Sequence, residues 1–144
     1  MNTNKITNIS SPLSYNVAAL LLRIGFGILM IPNHGYAKLM HFQEFKTDFV
    51  DFMGLGMEVS LGLAIFAEFF CSILIIIGLG TRLAVIPLIF TVLVILSVHN
   101  WELIGEHELA TAFLIGYVAI LILGPGEYSL DGLIQKKSTT VSNL

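Results

Sequence analysis

Residues 15–40 read YNVAALLLRIGFGILMIPNHGYAKLM, and the reading of this stretch decides the fold. It opens as a run of helix-forming apolar residues and carries one arginine, Arg23, inside that run. It then passes through Pro32-Asn33-His34-Gly35 and ends with Lys38. Arg23 and His34 are eleven residues apart. At about 100° per residue that is three turns plus roughly 20°, so both side chains leave one face of a helix. Their neighbours are Leu, Ile, Phe and Met. The polar stripe must therefore face other protein or a wet cavity, and the rest of the chain has to supply it.

Composition agrees with a chain whose solvent is the lipid bilayer. Its 144 residues are one domain's worth, 56% hydrophobic and 12% charged, with mean hydropathy +0.86. Those values lie outside the soluble globular range and indicate an integral membrane protein. The net charge of −3 comes from connecting segments and forms no basic patch, which argues against nucleic acid as a partner. Cys71 is the only cysteine, so there is no intrachain disulfide and no CxxC redox pair. It reads as a small apolar core residue. Residues 1–14 form a polar tail with Lys5 as its only charge. No small-x-small cleavage site follows, so the segment is read as retained.

Four spans are expected, at about 16–34, 57–79, 83–101 and 107–123. They make the region 15–126 an all-α transmembrane four-helix bundle. Pro32 and Gly35 mark a kink or an end of the first span, because proline lacks the backbone donor. Between spans one and two, Phe42, Phe45, Phe49 and Phe52 recur at helical spacing, with Glu44, Lys46, Asp48 and Asp51 elsewhere on the wheel. This segment is too short to span and predicts a short amphipathic helix at the interface. The turn Gly78-Leu79-Gly80-Thr81 is short enough to make spans two and three antiparallel neighbours. Residues 127–144 read as a polar C-terminal tail. Lys5, Arg82, Lys136 and Lys137 lie on the side of the tails, against Lys38 and Lys46 opposite. That balance puts the tails in the cytoplasm.

Two polar groupings follow from depth along the helices. Arg23 and Glu68 come within reach of each other at about 1.5 Å of rise per residue. An isolated charge there costs about 2.5–3.5 kcal/mol, so a buried Arg23–Glu68 ion pair is expected. Nearer the opposite surface, His34, Glu58, His99, Asn100, His107 and Glu108 come from all four spans. Such groups can bind a metal, hydrogen-bond a quinone carbonyl or move protons. They equally suit an ordinary polar interface. No HxxxH or ExxH pattern lies within one helix, no metal-ligand set is assigned, and there is no haem or flavin motif.

Four pieces of the chain resemble the DoxX family of membrane proteins, also called DoxX-like or DoxD-like. They are LLRIGFGILMIPNHGYAKL, AEFFCSILIIIGLGTRL, SVHNWEL and LGPGEYSLDGL, together covering roughly residues 15–135. The resemblance implies four transmembrane helices in a bacterial-type cytoplasmic (inner) membrane. It carries family polar positions onto Arg23, His34, Lys38, Glu68, Arg82 and His99. The namesake type is a membrane subunit of a thiosulfate:quinone oxidoreductase, and other members gather soluble redox enzymes.

The leading expectation is thus a membrane subunit of a redox system exchanging electrons or protons with quinone at the polar end. His34, Lys38, His99 and Glu108 are the catalytic candidates. His34, His99 and Asn100 are the candidates for holding the quinone. Two other classes stay open: a non-enzymatic anchor docking soluble redox proteins, and a small proton or solute carrier using the buried charges.

Overall fold

The apolar runs become helices because a chain in hydrocarbon must satisfy every backbone N–H and C=O internally. The computed structural model describes residues 12–142, so residues 1–11 of the expected N-terminal tail, Lys5 among them, lie outside the described residues. The elements are α1 (Pro12–Met40), α2 (Phe42–Phe45), α3 (Met57–Ile77), α4 (Thr81–Val98), α5 (Glu108–Leu123) and α6 (Leu130–Ser142). Three helices, α1, α3 and α4, are long and apolar enough to cross a membrane; α5 is a shorter apolar helix.

These four apolar helices close into a ring in which α1 and α4 each pack against both α3 and α5. Met30, Ile75, Val85, Leu88, Leu96, Phe113 and Ile120 fill the interior. Leu21, Leu83, Ile115 and Ile122 stay largely exposed and give the bundle an apolar outer surface. This inside-out distribution fits a protein whose outer solvent is hydrocarbon.

Pro32 does not end the first helix, and the expected boundary near residue 34 is corrected: α1 runs on to Met40. Residues Ile31–Tyr36 take π-helical form. A π turn is wider than an α turn, which accommodates the proline ring and its missing donor without breaking the rod. A second π segment, Phe66–Cys71, lies in α3, and the two segments pack against each other. Gly35 makes the approach possible. A Cβ there would sit 2.6 Å from the Glu68 carbonyl carbon and 2.6 Å from the Phe69 nitrogen. Backbone touches backbone at this crossing.

The amphipathic helix expected over 42–53 is shorter than its Phe periodicity suggested. Only Phe42–Phe45 is helical, and the chain then folds back irregularly over the bundle. Local polar groups compete with the helix. The Phe52 N–H donates to Ser60 Oγ at 3.0 Å, and the Gly56 N–H donates to Asp51 Oδ1 at 2.8 Å. Met53, Gly54 and Gly56 all have positive φ. Phe52 ends edge-on against Phe90 of α4, ring centroids 5.2 Å apart.

The C-terminal stretch, expected as a polar tail, forms α6 and is stitched to the bundle at its first turn. Ser129 Oγ accepts the Gly132 N–H at 2.9 Å, a helix N-cap. Asp131 accepts the Gly80 N–H at 2.8 Å, the Thr81 N–H at 3.0 Å and the Thr81 hydroxyl at 3.1 Å. It thereby caps the start of α4. The Asp131 N–H donates to Gly78 O at 2.9 Å. The Glu127 N–H donates to Asn16 Oδ1 at 2.9 Å, which ties the same loop to α1.

Burial pushes the Asp131 carboxyl up, but the bonds from Thr81 and Gly80 and the positive charge of Arg23 outweigh it and hold it below its ordinary value. A depressed folded value stabilises the fold above the unfolded carboxyl's titration range and is lost as pH falls through the folded value. Asp131→Ala is expected to lower the melting temperature at neutral pH, at the roughly 0.5–2 kcal/mol scale of a lost cap. Its difference from the parent should shrink as acid protonates Asp131, as read by thermal melts in nanodiscs. Gly35→Ala should be more damaging than Gly25→Ala, since a methyl at Gly35 meets backbone and one at Gly25 meets nothing within 4 Å; yield of folded protein from membranes checks this.

Candidate functional site

The π crossing places a charge pair inside the bundle. Lys38, on the last turn of α1, extends its ammonium to Glu68 Oε2 at 2.5 Å, and the Glu68 side chain is 1% exposed. Glu68 is held within the π segment of α3, where the wider turn displaces side chains from regular α register. This corrects the expected Arg23–Glu68 pair. Depth along the helices allowed it, but α1 continues past Pro32 and carries Lys38 to Glu68 first. Removing one member of such a pair leaves a buried charge uncompensated, typically a loss of about 3–5 kcal/mol.

Arg23 is fully buried elsewhere. Its Nη1 donates to Ile75 O at 3.3 Å and Ile76 O at 3.5 Å, and its Nη2 to Tyr128 O at 2.5 Å. The first two are carbonyls at the C-terminal end of α3, where the helix dipole is negative. Asp131 is its carboxylate counter-charge by electrostatic reach rather than contact. Gly78, at φ 74°, leaves room for the guanidinium: a Cβ there would lie 2.1 Å from Arg23 Nη1.

Beside the Lys38–Glu68 pair lies a cavity of about 470 Å³, bounded by α3, α4 and the folded-back segment after α2. Phe49 and Phe52 roof it, Phe66, Ile86 and Phe90 form its walls, and Lys38 and Glu68 supply its buried polar end. Phe66, Ile86 and Phe90 are each about half exposed on the lipid-facing side. Pro87 lines the cavity too, and Thr91 Oγ1 donates to its carbonyl at 3.0 Å. His99 stands at the rim, with Nδ1 fixed 2.8 Å from Ile95 O.

Of the candidates, then, Lys38 and His99 share one cavity, and the other two do not. His34 is half-buried, with its ring edge-on to Phe113 at 5.8 Å between centroids. Glu108 is exposed on the first turn of α5. Asn100 is exposed in the turn after α4 with φ 54°. His107 lies over His99, ring centroids 4.0 Å apart, with Glu102 3.4 Å from its Nδ1. Glu58 faces Lys46 at 3.3 Å, and Arg82 is exposed over Gly124. Among the described residues no three His, Cys, Asp or Glu side chains come together to hold a metal ion.

Sequence reasoning missed two buried hydroxyls. Ser72 Oγ and Tyr117 OH are fully enclosed and lack a hydrogen-bond partner among the described residues. Tyr117 OH lies next to Ser72, outside hydrogen-bond geometry, and within electrostatic reach of Glu68. An unsatisfied buried polar group typically costs about 1–3 kcal/mol. Ser72 stands four residues after Glu68, a helical step that was readable; Tyr117 had no sequence signal beyond being a tyrosine in an apolar span.

A comparison with known protein families finds a family model described as DoxX over residues 18–101, more than half of the chain. No curated protein and no solved structure matches. The matched region holds Arg23, Lys38, Glu68 and His99, together with every residue that lines the cavity. A membrane-type helical bundle with this match over its first three spans belongs to the DoxX family.

Proposed function

We propose that this DoxX-family chain is the membrane subunit of a redox system and that its cavity takes a quinone headgroup. One observation carries the reading: the buried Glu68, paired with the partly buried Lys38, forms the charged end of a mostly apolar cavity. At about 470 Å³ the cavity falls in the usual range for small-molecule sites, which are mostly apolar with a few convergent polar groups. Its lipid-side walls would let an isoprenoid tail remain in the bilayer.

A bound quinone takes up two electrons and two protons on reduction to quinol, the electrons coming from a reduced partner protein. Lys38 Nζ would donate a hydrogen bond to one carbonyl. Glu68 is within reach to hold or release the accompanying proton through Lys38. His99 at the rim is the second proton-handling group, its orientation set by the Ile95 carbonyl. Phe49 and Phe52 exclude water from above. The tails-inside orientation in a cytoplasmic membrane belongs to the same proposal, since four basic residues against two favour it.

A second reading, a non-enzymatic anchor for soluble redox proteins, is favoured by Trp101, Leu103 and Ile104. All three are exposed on the connection between α4 and α5. Quinone retention separates the two. After nanodisc reconstitution with ubiquinone and menaquinone, the parent protein should keep stoichiometric quinone through gel filtration, measured by extraction and mass spectrometry. Lys38→Ala and His99→Ala should each reduce retention at least tenfold with helical content unchanged, whereas His34→Ala, outside the cavity, should leave it intact. No retention by the parent protein, or equal loss in His34→Ala, overturns the quinone reading and puts the anchor ahead.

A further inference from the structure

Three buried side-chain atoms in the bundle interior make no hydrogen bond among the described residues: Arg23 Nε, Ser72 Oγ and Tyr117 OH. The fourth such atom, His107 Nδ1, belongs to the connection before α5. The three are not scattered. Along α3, Glu68, Ser72 and the Ile75 and Ile76 carbonyls that hold Arg23 follow one another at steps of three or four residues, so they share a face. Tyr117, from α5, meets that face beside Ser72 and in reach of Glu68. At up to about 1.5 Å of rise per residue, Glu68 is at most about 6 Å from Ser72 along the axis, and Ser72 about 4.5–6 Å from the residues whose carbonyls hold Arg23. Two hydrogen bonds through one water cover about 5.5 Å. Unpaired polar groups at that spacing are the setting in which buried water is held.

The ends of the row also fit a path. At the tail end Arg23 reaches Tyr128 O, in the loop that leads into α6. At the other end Glu68 meets Lys38 at the cavity. We infer that α3 carries a hydrated proton relay through the bundle, from the Arg23 end past Ser72 and Tyr117 to Glu68. Water and the two hydroxyls each accept one proton while giving up another. The net result is one proton delivered to the Glu68 carboxylate and one taken from the tail-side solution. Arg23 keeps its own protons, and its charge, balanced by the α3 carbonyls and Asp131, orients the water without carrying the current. Nothing in this relay depends on a quinone. Glu68 is its terminus whatever occupies the cavity.

Quinone-free protein in lipid bilayers provides the test. In water-edited solid-state NMR, magnetisation from water should build up on Ser72 and Tyr117 at least fivefold faster than on Val92 and Leu88, buried apolar residues of α4. A build-up no faster than at Val92 overturns the proposal without any variant. Protonation of Glu68 after a rapid pH jump can be followed by its infrared carboxyl band, identified by its disappearance in Glu68→Gln. Tyr117→Phe combined with Ser72→Ala should slow that protonation at least tenfold, while Ile115→Ala, on the exposed outer face of α5 and away from both the relay and the cavity, should not. An unchanged rate in the double variant, with water present, overturns the relay. Loss of quinone retention in the earlier experiment leaves both readouts unaffected.

Discussion

A guanidinium with no exposed surface sets the terms for this bundle. Arg23 is 0% exposed in a helix that is otherwise apolar, and its charge cannot be shed because arginine does not deprotonate in proteins. The structure spreads it over carbonyl dipoles at the end of α3 and the loop before α6, with Asp131 as the distant carboxylate. Each of those groups then acquires a position it must keep. Gly78 has to be small, α3 has to end where its carbonyls can turn toward α1, and the 124–132 connection has to return over the bundle. One cation thus couples three helices and a loop at the tail end.

The opposite half is organised by a different solution to the same problem. Glu68 is neutralised by a lysine that reaches it across a backbone contact, and the two π segments provide the reach. Because this pair sits on the wall of an apolar cavity, its charges lie where a ligand can touch them. Arg23 is held by backbone carbonyls and borders no such ligand-sized cavity. The distinction between a structural charge and a chemical one is therefore made by what lies alongside each.

The spans were legible because hydropathy reports which backbone has to be helical, and the positions of α1, α3, α4 and α5 follow from it. Partner choice was not. Residue depth places Arg23 and Glu68 at similar levels but carries no information on rotation about the helix axis, and reading Pro32 and Gly35 as a kink or an end kept Lys38 from being paired with Glu68. With α1 continued, Lys38 falls one turn beyond His34, a spacing visible in the letters alone. The Phe42–Phe52 periodicity was real, yet side-chain bonds from Asp51 and Ser60 overrode it and turned two phenylalanines into a cavity roof. Of the site, Lys38, Glu68 and His99 were named in advance. The hydroxyls of Ser72 and Tyr117 were not, because only packing shows which tyrosine of an apolar span is buried with its hydroxyl unpaired.

The tail-end stitching bears on how the protein is made. Arg23 leaves the ribosome early, whereas Tyr128, whose carbonyl it binds, is separated from it by 105 positions. During synthesis the first span must therefore enter the bilayer with its cation incompletely coordinated. It gains the α3 carbonyls first, and the loop before α6 last of all. Of the bonds that hold this cation, the one to Tyr128 is the last that synthesis allows to form.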